Sequence, residues 1–403
     1  MSQELLSDID LEIPYYETPP SYKEFLSNHL MLNKPAIIGS ALTQDWKARK
    51  EWIIPITEPV TSNTTPQPKY KPNYQYLKQR FGAAKGQVAR CDRRHFTDQE
   101  RMIMSFAEFA DLWEAADGKP SVYYLKDLHL VKLFPKDIAY QVPEIFEDDW
   151  LNEYWLKQGE DDYRFTYLGG DSTFTPFHAD VYRSYSWSSN ICGIKKWTLF
   201  PPGQEDLFKD RFGNMIYDIR NVDTEEFPKF KQARCIEIYQ RDGETIFVPS
   251  GWFHQVENIG AAISINHNWS NACNLMMTYQ SIKNDLDDVK AAIQDIKESV
   301  SEMDFIVQCQ HLLLAHSGWN WHTFLSILCS IVDHRSDGAL KASQPDLIWQ
   351  LDQIERVLEQ WEKDEEEDLI NYLRHQDDLH KKYTVLKSSI ASIRSTHKLS
   401  IQQ

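Results

Sequence analysis

The residues best suited to chemistry in this chain are two histidines and an aspartate. His178 and Asp180 lie in FTPFHADVYRSYSW, and His254 lies in VPSGWFHQV. Two imidazoles and one carboxylate on one face of a metal, with the other positions open, form the arrangement of non-heme Fe(II) oxygenases. His178 and Asp180 are one residue apart, so on a strand both side chains project to the same side. The third ligand must come from a distant strand brought alongside by barrel closure. His254, read at the end of a strand beside a Pro-Ser-Gly-Trp turn, stands in a sensible place for it. A His-x-Asp pair alone more often marks a hydrogen-bonded surface or core His; the later His in β-rich surroundings tips the reading toward metal. His311 and His316 are five apart on a helical stretch and share no face. His95, near Cys91, lacks partners for a zinc site.

Oxygen activation at Fe(II) needs electrons that the metal alone does not supply. 2-Oxoglutarate supplies them through its decarboxylation, and its far carboxylate calls for a buried cation with hydroxyl or amide helpers. Lys195 and Lys196, in GIKKWTLFPPG, are the candidates. Adjacent strand residues face opposite sides, so one enters the barrel and the other is solvated. Spacing does not choose between them.

The elements that must position these groups change character along the chain. Residues 1–120 read as a mixed α/β lead-in, with Pro35–Ile38 as a strand and a helix beginning at SFAEFADLWEAA, where Ser105 and Glu108 match a capping box. Thr57–Asn73, rich in Pro, Thr and Asn, reads as an exposed loop. SVYYL is a strand candidate, and short β-type runs separated by Gly, Pro and Asp follow. They make residues 121–273 a sandwich or small barrel. Residues 274–403 turn helical. Ile282, Leu286, Val289, Ile293 and Ile296 form one apolar stripe, and Ile348, Leu351, Ile354, Val357 and Trp361 a second. The charge run that starts at Lys363 reads as a solvated face or linker. These helices could pack on the barrel, shape a substrate groove or close a homo-oligomer.

Composition narrows the classes. Apolar residues make up 42% of the chain and aromatics 13%, enough to fill a core and argue against disorder. No apolar run approaches the roughly 20 residues that span a bilayer. The acidic N-terminus resembles neither a secretory signal nor a transit peptide. Six scattered cysteines without a CxxC pair suit reduced thiols, hence an expected cytoplasmic or nuclear location. A net charge of −17 disfavours direct nucleic-acid binding and weakly favours a basic protein partner.

FTPFHADVYRSYSWSSNICGIKKWTLFPPG, CIEIYQRDGETIFVPSGWFHQVEN and ISINHNW together resemble the JmjC (jumonji C) family of Fe(II)/2-oxoglutarate oxygenases, and within it the jumonji-domain-containing protein 4 branch. Asn33–Ile38 matches the family's lead-in strand, and the likeness extends to about residue 335. It implies a mainly β fold with α additions: a double-stranded β-helix (jelly-roll, cupin-like) core flanked by the N-terminal α/β elements and C-terminal helices. It also implies Fe(II), 2-oxoglutarate and O2 as the reactants at the site. His178, Asp180 and His254 match the iron triad. Lys195 matches the 2-oxoglutarate lysine, five residues before Phe200, and Thr175 and Tyr124 match hydroxyl donors to the same carboxylate. Asn266 occupies another co-substrate-facing position. Ser188 stands where many relatives have Asn, so a polar contact there is weaker or water-mediated. The implied activity is lysine hydroxylation of a protein substrate, the translation termination release factor. N-methyl-lysine demethylation and a non-catalytic binding role are the alternatives.

Overall fold

A computed structural model describes residues 12–57, 66–159, 162–336, 343–364 and 366–401. Its strands are β1 (Tyr15–Tyr16), β2 (Ala36–Ile38), β3 (Ile53–Pro55), β4 (Tyr70–Pro72), β5 (Lys85–His95), β6 (Asp98–Ser105) and β7 (Tyr123–Leu128). Then come β8 (Arg164–Gly169), β9 (Phe174–His178), β10 (Tyr185–Phe200), β11 (Ile236–Gln240), β12 (Thr245–Val248) and β13 (Phe253–Trp269).

Two long neighbours, β10 and β13, run antiparallel over most of their lengths and change partners halfway. The first part of β10 pairs with β12 and the last part with β11. Likewise β13 pairs first with β9 and then with β8. Each long strand thereby serves both walls of one closed β-helix, the cupin-like core expected. The partner change on β10 falls at an irregularity between Asn190 and Ile194. Gly193 sits there at φ +81°, and a Cβ at this position would stand 2.5 Å from the Ala261 carbonyl oxygen. Only glycine fits so close a backbone approach.

The N-terminal elements extend this sheet. β2 joins β12, and β5, β6 and β7 continue outward from β8. The helix Phe106–Ala115 begins at a complete Ser105–Glu108 capping box, and Phe106, Phe109 and Trp113 are buried as its spacing predicts. The loop expected over Thr57–Asn73 needs correction. Tyr70–Pro72 is paired with Ile53–Pro55, because the backbone can pair there despite the prolines at an edge, and residues 58–65 lie outside those described.

The C-terminal helices, from Leu275–Ala292 through Glu302–Ser317, Trp321–Ser336 and Leu347–Asp364 to the last two, share one apolar core. The second predicted stripe is buried along Leu347–Asp364. The first stripe packs on this core as far as Ile293, which is partly buried; the helix ends at Ala292 and a 3-10 turn follows, leaving Ile296 at the surface. Part of the charge run after Lys363 lies outside the described residues. The buried pair Arg335–Asp148 at 3.2 Å and the contact of His334 with Glu153 tie the C-terminal helices to the helix Trp150–Gln158 and its lead-in. That helix meets β13 through Asn152, which donates to the Asn268 carbonyl at 2.9 Å. Among the described residues no helix is long and apolar enough to cross a membrane.

Candidate metal and co-substrate site

Strand pairing brings the two histidines together. β9 lies against the start of β13 with His178 directly opposite His254, and the ring centroids are 4.4 Å apart. Each imidazole turns its Nδ1 to a backbone carbonyl two residues back, at 2.8 Å to Pro176 and 3.0 Å to Trp252. Those contacts fix the tautomer that leaves Nε2 as a lone-pair donor, the form a metal takes. Burial, and then the neighbouring His254, pull the His178 imidazole down to about 4, so it stays neutral at physiological pH. One ligand atom from each of His178, Asp180 and His254 can be chosen so that all three lie within 4.8 Å of one another. This is the one such metal-capable group found among the described residues.

Two sequence expectations about placement change. Asp180 is not on a strand: β9 ends at His178, and Asp180 caps the 3-10 turn Val181–Arg183. His254 opens strand β13 instead of closing one, since the Pro-Ser-Gly-Trp turn comes between β12 and β13. The side chain of Asn33 bridges that turn, donating to the Ser250 carbonyl and accepting from its N–H, both at 2.9 Å. The Asp180 carboxylate is held by the Ser186 hydroxyl, which donates at 2.7 Å. Within the turn, Tyr182 and Arg183 have φ of +57° and +49°. Each such bulky residue in the left-handed region costs about 1–3 kcal/mol, so the turn must be over-determined by its surroundings.

Beside the triad lies a small cavity lined by Tyr124, Thr175, Lys195, Trp197, Val256 and Asn266 together with the triad. Lys195 is 2% exposed and donates to the Tyr124 hydroxyl at 3.2 Å and to Asn258 Oδ1 at 3.1 Å. Burial pulls its ammonium down to about 7, and no carboxylate pairs with it among the described residues. Lys196 points the other way, to Glu237 at 2.8 Å. The choice that strand alternation left open is thus settled in the geometry. Burial pushes the Tyr124 phenol well up, keeping it a donor. Ser188 spends its hydroxyl on Asn266 Oδ1 at 3.1 Å and is not part of the cavity lining.

A second cleft, of about 400 Å³, opens on the triad from outside. Thr175, His178 and Asp180 line it together with Tyr163, Tyr167, the carboxylates of Asp98 and Asp127 and the cations of Arg101 and Lys126. Asp127 accepts from Tyr167 at 2.6 Å and from Arg101 at 2.7 Å. Against its burial, Lys126 and Arg101 hold its carboxyl below the usual range.

Residues 22–275 match the cupin-like domain family. The chain is 39% identical over 332 residues to the 2-oxoglutarate and iron-dependent oxygenase JMJD4 of Danio rerio, covering 80% of this chain and 75% of that protein. The chain belongs to the cupin-like JmjC family. It is also 42% identical over 322 residues to the arginine-specific demethylase JMJ20 of Arabidopsis thaliana, covering 75% of this chain and 66% of that protein. With JmjC domain-containing protein 1 of Schizosaccharomyces pombe it shares 29% identity over 424 residues, 86% of this chain and 90% of that protein. The match to the cupin-like domain ends at residue 275, where the helical region begins.

Within the JmjC core, sequence reasoning missed Ser186, Asn258 and Asn268. A signal for two of them was present. His254, Asn258, Asn266 and Asn268 all occupy even positions of one strand, so alternation assigns these polar residues to one side. Asn258 there holds Lys195, and Asn268 donates to Ser184 Oγ at 3.1 Å, just beyond the strained turn.

Proposed function

We propose that this chain is an Fe(II)- and 2-oxoglutarate-dependent oxygenase that hydroxylates a lysine side-chain carbon of a protein, the translation termination release factor. The observation that carries the reading is the buried Lys195 ammonium. It lacks a carboxylate partner among the described residues and shares a cavity with His178, Asp180 and His254. A buried unpaired ammonium is costly, and an anionic ligand that also reaches a metal relieves that cost. The JMJD4 relative is named for iron and 2-oxoglutarate, which supports the same pair here.

The residues fit both groups. His178 and His254 would hold iron through their Nε2 atoms and Asp180 through a carboxylate oxygen. Lys195, Tyr124 and Thr175 would receive the far carboxylate of 2-oxoglutarate. When bound, the two supply the oxidising chemistry: O2 is consumed, one oxygen atom goes to a substrate C–H bond, and 2-oxoglutarate leaves as succinate and CO2. The chain's own part is positional. Ser186 fixes one oxygen of Asp180, Asn258 and Tyr124 orient the Lys195 ammonium, and Trp197 and Val256 wall off water. In the outer cleft the Tyr163 and Tyr167 rings offer aromatic faces to a cationic side chain, while Asp98 and Asp127 are paired with Arg101 and Lys126 on the same walls. On this reading the protein works in the cytoplasm, where translation terminates.

The test is incubation of the full chain with intact release factor, Fe(II), ascorbate and 2-oxoglutarate, followed by peptide mass spectrometry. A gain of one oxygen on a lysine is expected, reduced to background in His178→Ala. Turnover on another protein with none on the release factor would overturn the substrate and keep the chemistry. A second reading, N-methyl demethylation, is favoured by the likeness to JMJ20, named an arginine-specific demethylase. Hydroxylation of an N-methyl carbon gives a hemiaminal that breaks its C–N bond and releases formaldehyde. Formaldehyde from methylated arginine or lysine peptides, without a stable oxygen gain, would favour that reading.

A further inference from the structure

The turn that carries Asp180 is held from outside the JmjC core. Tyr182, two residues after Asp180, is a bulky side chain at positive φ, and its ring is buried in the apolar core of the C-terminal helices. There it lies on Trp319, with ring centroids 4.1 Å apart. Trp319 follows Gly318, whose φ of +76° ends the helix Glu302–Ser317 in a left-handed cap. A Cβ on Gly318 would stand 3.0 Å from the Tyr182 hydroxyl, so a glycine at this cap allows the close approach. The Tyr182 hydroxyl shares a hydrogen bond of 2.7 Å with Tyr163 on the cleft wall. Arg183 follows at positive φ with its guanidinium 4.8 Å from the Phe253 ring centroid, next to His254. The Trp319 N–H is buried with no hydrogen-bond partner among the described residues, which leaves the ring face as what this position uses.

We infer that the C-terminal helical region is a working part of the metal site: Trp319 is a positioning residue that sets the Asp180 carboxylate by clamping Tyr182. This rests on the metal reading above. The turn is strained, so it keeps its shape only while something outside it holds both residues in place. Ser186 holds the carboxylate directly, whereas the clamp holds the backbone from which the carboxylate hangs. Loosening the clamp lets Asp180 relax away from the two histidines without touching any ligand.

The experiment titrates the full chain with Mn(II) alone, reading free Mn(II) by electron paramagnetic resonance, with thermal unfolding followed in parallel. The wild-type chain is expected to bind one Mn(II), and Asp180→Ala to lose it. Trp319→Ala is expected to weaken Mn(II) binding by about 10-fold or more, the size seen when supports of metal ligands are removed. Trp319→Phe, which keeps a ring face, should restore most of it. Leu358→Ala empties the same helical core on another helix and should lower the unfolding temperature while leaving Mn(II) affinity as in wild type. Should Trp319→Ala not fold, Trp319→Leu keeps apolar bulk, removes the ring face and is expected to weaken binding in the same direction. Equal losses in Trp319→Ala and Leu358→Ala would reduce the clamp to general stability and overturn the inference. So would unchanged affinity in Trp319→Ala or Trp319→Leu. A wild-type chain that binds no Mn(II) would overturn the metal reading, and this inference with it.

Discussion

The C-terminal helices fill their core with Leu325, Leu328, Ile331, Leu358 and Trp361, each 0% exposed, whereas the β-helix keeps Lys195, His254 and Asn258 at 2–3% exposure. The β-helix has apolar clusters of its own around Trp187, Ile191, Phe247 and Ile263, but beside them it buries these polar groups. Apolar side chains at that depth contribute about 1.5–3 kcal/mol each. The buried polar groups of the β-helix contribute little net stability and are retained for what they hold in place. The buried charge pair Arg335–Asp148 links the helical side to the helix that packs on the end of β13, and there burial outweighs the Arg335 charge and pushes the Asp148 carboxyl up to about 6. The comparison teaches that burial alone does not mark a core; what marks the site is a buried charge whose partner is missing.

The sharpest way to break this comparison is at that pair. Arg335→Ala leaves the Asp148 carboxylate buried and uncompensated, and a loss of about 3–5 kcal/mol in unfolding free energy is expected from urea denaturation. A loss below about 1 kcal/mol would show that the pair is not what makes this link. Lys195→Met should act in the opposite sense, raising the stability of the metal-free chain while abolishing 2-oxoglutarate binding measured by calorimetry. Its pH dependence follows from the lowered ammonium. The group titrates at about 7 in the folded chain and near its ordinary 10.5 when unfolded. Between those values the unfolded chain binds more protons, so wild-type stability rises with pH there, and the advantage of Lys195→Met fades across the same window. An advantage independent of pH would show that the ammonium is not the destabilising group. The smallest effect belongs to Lys196→Ala. Its pair with Glu237 is exposed, so less than about 1 kcal/mol and unchanged 2-oxoglutarate affinity are expected.

How much of this was legible in the sequence depended on period and chain distance. The capping box at Ser105 and the stripe from Leu351 to Trp361 are local signals, and both elements form where they predict. His178 and His254 are far apart in the chain, yet each lies beside a strand boundary that turn residues mark, so their meeting could be expected from closure of a barrel. Asp180 could not be placed on a turn, because His-x-Asp reads the same on a strand as across its end. The N-terminal strands that extend the sheet, and the Asn33 bridge to Ser250, are long-range contacts that no periodicity announces. The Tyr182–Trp319 contact belongs to the same class: two aromatic residues in unrelated segments, each readable alone as ordinary core.

The irregularity at Gly193 bears on why spacing could not choose between the two lysines. Ser186, which holds Asp180, and Lys195 are nine positions apart on β10, an odd number that on an unbroken strand puts them on opposite faces. Both line the same cavity, because the bulge between them shifts the alternation by one residue. The metal end and the anion end of the site are therefore written out of phase along a single strand, and one backbone irregularity, open to glycine for want of space, brings them into step.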